Sequence, residues 1–198
     1  GHPLIDTNKI VTNNFKIEGL QKITIVTGAN MAGKSTFLRT IGINLILGTL
    51  GTHVCAKEMT FSPIQIYTSV RTNDSLQKNE SYFYAELMRL KKITDSLKAG
   101  NKLFVIIDEM LRGTNSKDKH KGSYELIKQL IKYNVAGLVA THDIQLGKLI
   151  EKYPNNISNK RFEVEIINNE LVFDYKIKDG ISQNLNASFL MKKYGIIE

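Results

Sequence analysis

The sequence predicts an α/β fold in which a mostly parallel central sheet is covered by helices on both faces and extended by an antiparallel hairpin. Three observations lead there. Short β-branched runs alternate with longer helical stretches, one of the runs opens into a glycine-rich turn, and the last third holds two strand-like segments on either side of Asn168-Asn169. Strands alternating with helices imply right-handed crossovers and therefore parallel pairing. At 198 residues, 42% hydrophobic and 23% charged, the chain has the composition of a globular domain and enough length to bury a core without disulfides or a structural metal. One domain over residues 1–198 is expected.

The elements follow in order. Lys22 to Thr27 (KITIVT) reads as a buried strand, and a helix follows from Lys34 to about Leu50. Ile64 to Val70 reads as a second strand. From Ser81 to Leu97 the apolar residues Phe83, Leu87, Leu90, Ile93 and Leu97 recur at three- and four-residue steps, which is one face of an amphipathic helix. Leu103 to Ile107 (LFVII) is wholly apolar and ends in two acids, as expected of a central parallel strand covered on both faces. Tyr124, Ile127, Leu130 and Ile131 mark another helix, and Val135 to Ala140 another buried strand. Arg161 to Ile167 and Glu170 to Lys176 flank the Asn168-Asn169 link of a hairpin, and a last helix covers Ala187 to Tyr194.

Composition narrows the function classes. A lone cysteine, Cys55, can make no internal bridge and offers no metal-ligand spacing, which points to a reducing, cytoplasmic setting. The longest apolar candidate for a membrane span, Ile41 to Leu50, is broken by Gly42, Asn44 and Gly48 and falls well short of the ~20 residues required. Nor does the amino terminus carry a basic segment followed by an apolar one and a cleavage site. The net charge of +8 favours phosphate-bearing partners, but the excess is dispersed over residues such as Lys16, Lys22, Arg89, Lys117 and Lys128, without the compact stripe of a nucleic-acid-binding surface.

Gly28-Ala29-Asn30-Met31-Ala32-Gly33-Lys34-Ser35 fits the phosphate-loop pattern G-x-x-x-x-G-K-[ST] at every defined position. The pattern requires a strand before it and a helix after it, and both are predicted. Gly28 and Gly33 let the backbone curl so that successive N–H groups face phosphate oxygens, and the start of the helix adds the positive end of its dipole. The binding segment is expected to run from Gly28 to Thr36, with Lys34 as the cation for the β- and γ-phosphates of ATP and the Ser35 hydroxyl as a Mg²⁺ ligand. Asp108 and Glu109 close the apolar 103–109 strand. Asp108 is placed to hold the same metal, and Glu109, one residue further, to accept a proton from an attacking water. His142, in Ala140-Thr141-His142-Asp143, ends a neighbouring strand, where a neutral imidazole can hydrogen-bond the γ-phosphate or the water. Two acids at a strand end, or one histidine there, are also ordinary solvated features; the phosphate loop makes the chemical reading the stronger one.

The segments TGANMAGKSTFLRTIG, LFVIIDEMLRGTNSKD and ATHD together resemble the ATPase domain of the MutS family of DNA mismatch-repair proteins, and the likeness covers nearly the whole chain, from Gly1-His2-Pro3-Leu4 to Tyr194-Gly195-Ile196. Asn30-Met31 inside the loop is a characteristic choice of that family. The resemblance implies a three-layer P-loop NTPase of ATP-binding-cassette type. It also implies pairing of two copies, or of paralogues, with nucleotide sandwiched between them. Ser81, in the 79–86 segment Asn79-Glu80-Ser81-Tyr82-Phe83-Tyr84-Ala85-Glu86, matches the signature serine that one subunit lends to the other's site; a serine at a helix start is otherwise an N-cap. Asp74 resembles the acid of the loop that links nucleotide state to the rest of the molecule.

Some residues depart from the family pattern. Leu111-Arg112-Gly113-Thr114-Asn115 stands where Gly-Arg-Gly-Thr-Ser is usual, Tyr82 where threonine is, and Asp74-Ser75 where two acids are common. These mark a divergent branch. The resemblance further implies that domains contacting DNA precede this one in a longer protein, and that the whole works in the cytoplasm, with nucleoid association. A transporter-type cassette would carry a Leu-Ser-Gly-Gly-Gln-like signature and a chromosome-condensation ATPase long heptads; the sequence has neither. Two alternatives stay open: a nucleotide-dependent dimerisation switch that does not hydrolyse, and an ATPase of a paralogue acting outside mismatch repair.

Overall fold

The computed structural model describes residues 1–70, 82–183 and 187–197. Along the chain these form β1 (Lys22–Gly28), α1 (Lys34–Thr49), β2 (Gln65–Ser69), α2 (Tyr82–Lys98), β3 (Leu103–Asp108), α3 (Ser116–Leu130) and β4 (Val135–Thr141). The short helices α4 (Ile144–Gly147) and α5 (Leu149–Lys152) follow, then β5 (Ile157–Ile167), β6 (Glu170–Asp179) and α6 (Ala187–Lys193). The six strands make one sheet in the order β2-β3-β4-β1-β5-β6, and every neighbouring pair is parallel except β5 with β6. This is the mixed α/β sheet expected of the sequence.

Period-two alternation divides the side chains of the central strands between two cores. On one face Ile23, Ile25, Leu103, Val105, Ile107, Val135 and Val139 pack against Leu90, Ile93 and Leu97 of α2 and Ile127 and Leu130 of α3. On the other face Val26, Phe104, Ile106, Leu138 and Ala140 pack against Phe37, Leu38 and Leu45 of α1. Helices therefore lie on both sides of the sheet, as three layers. β1, β3 and β4 are buried on both faces; Leu103–Ile107 of β3 is accordingly apolar throughout, while β1 and β4 mix aliphatic residues with buried threonines.

The start of the fifth strand departs from the sequence reading. β5 begins at Ile157, four residues before the predicted Arg161, and its first half pairs in parallel with β1 from Ile23↔Ile157 to Gly28↔Phe162 before the strand continues into the antiparallel hairpin. Ile-Ser-Asn-Lys has no strand signature of its own; pairing with β1 imposes one, and the buried Asn159 amide is satisfied by donating to the Gly147 carbonyl (2.8 Å). Residues 1–21 form no helix or strand but are fastened to the hairpin, where Asn13 donates to the Tyr175 carbonyl and accepts from the Ile177 N–H, both at 2.9 Å. The predicted hairpin link is present. Asn168 and Asn169 adopt φ 51° and 63°, the two positive values that a two-residue turn of primed type requires. Among the described residues no helix is long and apolar enough to cross a membrane.

Candidate functional site

Parallel register brings the candidate residues to one edge of the sheet. Thr27 of β1 pairs with Thr141 of β4, and Ala140 of β4 pairs with Asp108 of β3. Gly28, Asp108-Glu109 and His142 therefore emerge side by side at the carboxyl ends of three adjacent strands, where ligands of open α/β sheets lie. They line, or stand directly behind, a cleft of about 2130 Å³ whose wall also includes Asn30, Met31, Ser35 and Thr36.

The loop between β1 and α1 is shaped by its glycines. Gly28 has φ 150°, and a Cβ there would sit 2.6 Å from the Phe162 carbonyl oxygen; Gly33, at φ 108°, serves as the N-cap of α1. Gly33 has no side chain to cap the helix, and the first turn of α1 contains no acid. Met31 also takes a left-handed conformation (φ 64°) and is 80% exposed, whereas Ala32 turns into the core and contributes only its backbone.

Lys34 is 7% exposed, and its ammonium group donates to the Gly28 and Ala29 carbonyls, each at 2.7 Å. Burial lowers its pKa to about 8, although the nearby carboxylates of Asp108 and Glu109 pull in the opposite direction. His142 Nδ1 lies 3.3 Å from Lys34 Nζ and 3.2 Å from the Gly28 oxygen. Burial and then the Lys34 cation hold the imidazole below the usual histidine range, so it is neutral at pH 7.

The two acids differ in environment. Asp108 is 5% exposed, and its Oδ2 is buried with no hydrogen-bond partner among the described residues. A buried carboxylate oxygen without a donor is costly unless a cation serves it. Glu109 sits at φ 66°, and its carboxylate is held by Lys119 Nζ (2.8 Å) and, as a close ion pair short of hydrogen-bond geometry, by Arg112 Nε (2.8 Å), with His142 Nε2 at 3.8 Å. Burial pushes its pKa up, but the Lys119 hydrogen bond and the charges of Arg112 and Lys119 outweigh that and hold it below the usual carboxylate range.

No trio of His, Cys, Asp or Glu among the described residues forms a ready-made metal cage. A Mg²⁺ ion takes one or two protein oxygens and fills the rest of its shell with water and phosphate. Asp108 Oδ2 and the Ser35 hydroxyl are the protein oxygens that fit it. The structure thus gathers Lys34, Ser35, Asp108, Glu109 and His142 at one edge. Ser81 and Asp74 lie outside the described residues. Lys119, Arg112 and Glu86, which bear on the acidic turn, had no site role in the sequence reading; a contact between Glu109 and a lysine ten residues on depends on how α3 docks and leaves no local signal. Phe15 and Tyr175 likewise line the cleft from distant segments.

Residues 24–193 match MutS domain V. The chain is 30% identical over 195 residues to MutS protein homolog 4 of Homo sapiens, covering 93% of this chain and 20% of that protein. It is 31% identical over 198 residues to the DNA mismatch repair protein MutS of Thermotoga neapolitana (98% and 24%), and 33% identical over 198 residues to that of Ehrlichia chaffeensis (98% and 23%). An α/β domain with a mixed six-stranded sheet, a glycine-rich loop and paired acids at one edge is the class these features define. The chain belongs to the MutS family. It spans between a fifth and a quarter of the length of these relatives.

Proposed function

We propose that this chain is a P-loop NTPase of ATP-binding-cassette type that binds and hydrolyses ATP. The observation that carries this reading is the meeting, at one sheet edge, of a buried lysine in an uncapped glycine loop with a buried carboxylate oxygen that has no hydrogen-bond partner among the described residues. The phosphates lie against residues 28–36, with the loop N–H groups and Lys34 spreading their charge. Ser35 and Asp108 hold Mg²⁺, which when bound neutralises charge on the phosphate oxygens. The aromatic rings of Phe15 and Tyr175 offer the cleft a wall suited to a planar base.

Hydrolysis forms a bond from a water oxygen to the γ-phosphorus and breaks the bond from that phosphorus to the β,γ-bridging oxygen, which leaves on ADP. Glu109 takes the water's proton, and neutral His142 orients the water or the γ-phosphate oxygens. The protein's contribution is therefore positioning and electrostatics. Replacing Glu109→Gln should leave ATP binding intact and slow phosphate release by roughly 100-fold or more; an unchanged rate would take Glu109 out of this role.

Ser81 from a second copy, or from a paralogue, completes the site, so nucleotide promotes pairing. This makes the domain a nucleotide-driven coupler for the mismatch or branched-DNA handling of MutS proteins, with DNA contacts made by other domains. Light scattering at high protein concentration should report a doubled mass with a slowly hydrolysed ATP analogue, and an unaltered mass would contradict the pairing. A second reading, a switch that binds without hydrolysing, draws support from the ion pairs that Arg112 and Lys119 make with Glu109, since a carboxylate so held is a weak base. Phosphate release assayed with and without Mg²⁺ separates the two.

A further inference from the structure

Glu86 stands on α2, outside the cleft, and is 2% exposed. Its carboxylate accepts two main-chain N–H groups, Leu111 to Oε1 at 2.7 Å and Arg112 to Oε2 at 2.9 Å. Hydrogen bonds to a carboxylate are stronger than neutral ones, and burial raises their value further. The segment they hold is an improbable one. Glu109, Leu111 and Gly113 have φ 66°, 54° and 88°, and the left-handed region is costly for the two residues that carry a Cβ. Leu111 stands where the family resemblance leads one to expect glycine, which increases the need for an external anchor.

The same turn carries Arg112, whose Nη2 donates to the Asp108 carbonyl at 2.9 Å and whose Nε pairs with Glu109 Oε2 at 2.8 Å. Glu86 thus sets the main chain from which Arg112 reaches both acids. One helical turn before Glu86, the β-carbon of Phe83 lies 3.4 Å from where a side chain on Gly113 would begin, so α2 rests on the turn at two successive points. α2 is also the helix that starts directly after Ser81.

We propose that Glu86 is a positioning residue for the hydrolysis described above, on which this inference rests. It transmits the placement of α2 through the Leu111 and Arg112 main chain and the Arg112 guanidinium to the carboxylate of Glu109. When a partner's nucleotide engages the start of α2, Glu86 is the connection by which the neighbouring site's own general base is set.

The test compares steady-state phosphate release and binding of a slowly hydrolysed Mg-ATP analogue in the wild type, Glu86→Gln, Arg112→Ala and the double variant. Glutamine keeps the size of the side chain but replaces one acceptor with an amide that cannot accept an N–H. The expected result for Glu86→Gln is a kcat lowered roughly tenfold or more, with KM and analogue Kd changed by no more than about twofold. Since both residues act along one path, the double variant should be no slower than the slower single by more than about twofold. Wild-type kcat in Glu86→Gln, or losses that multiply in the double variant, would overturn the proposal. Should Glu86→Gln lose its folded circular-dichroism spectrum, Glu86→Asp keeps the charge and shortens the reach; a lowered kcat with an unchanged Kd supports the inference and a wild-type kcat overturns it. A wild type that releases no phosphate removes the hydrolysis reading and this inference with it, whereas wild-type turnover matched by Glu86→Gln removes the inference alone.

Discussion

Lys34 carries its charge where burial opposes it, with a pKa of about 8 against an ordinary 10.5. The folded-state value is the lower one, so the unfolded chain holds this proton more tightly. The group opposes folding below pH 8, and that opposition fades as pH rises through the window between the two values. Phosphate oxygens beside the ammonium reverse the balance and raise its pKa. Nucleotide binding should therefore take up protons near pH 8, and affinity should weaken above it by up to about tenfold per pH unit. Calorimetric titration in two buffers of different ionisation heat measures the uptake; affinity independent of pH from about 7 to about 9.5 would contradict it. Lys34, Asp108, Glu109 and His142 were legible because each is tied to a local signal, the loop motif or the end of an apolar strand. Glu86, Arg112 and Lys119 were not, since their roles arise where α2 and α3 dock on the acidic turn.

At the scale of elements, β1, β3 and β4 announced themselves by short runs of β-branched and aliphatic residues, wholly apolar in β3, and α2 by its three- and four-residue spacing. The first half of β5 stayed hidden because its strand character is conferred by pairing with β1. A local substitution also finds its reason here. Asn115, where serine is usual in the family, accepts from the Asp118 N–H at 2.9 Å and caps α3, a task both residues perform. The hairpin link was readable because asparagine tolerates the left-handed region. Asn169→Val places a β-branched residue at φ 63° and should cost about 1–2 kcal/mol of stability, read from the denaturant midpoint at constant m. An unshifted midpoint would mean that the link is not held as described.

Across the whole molecule, the sheet order places the β1 loop beside β4, with β3 next, so that one edge collects the lysine, both acids and the histidine. The surrounding charge of +8 favours an anionic ligand at long range, and the loop, Lys34 and an Asp108 oxygen without a hydrogen-bond partner among the described residues make this edge the candidate place for it. The central claim is that this edge is a magnesium-nucleotide site. Equilibrium titration of the folded protein with a slowly hydrolysed ATP analogue and Mg²⁺ tests it most directly, run beside Lys34→Met. One nucleotide per chain is expected, with affinity reduced roughly 100-fold or more in the variant, as follows when a buried charge-assisted contact to phosphate is lost. No binding by a demonstrably folded wild type, or equal affinity in the two proteins, would contradict it.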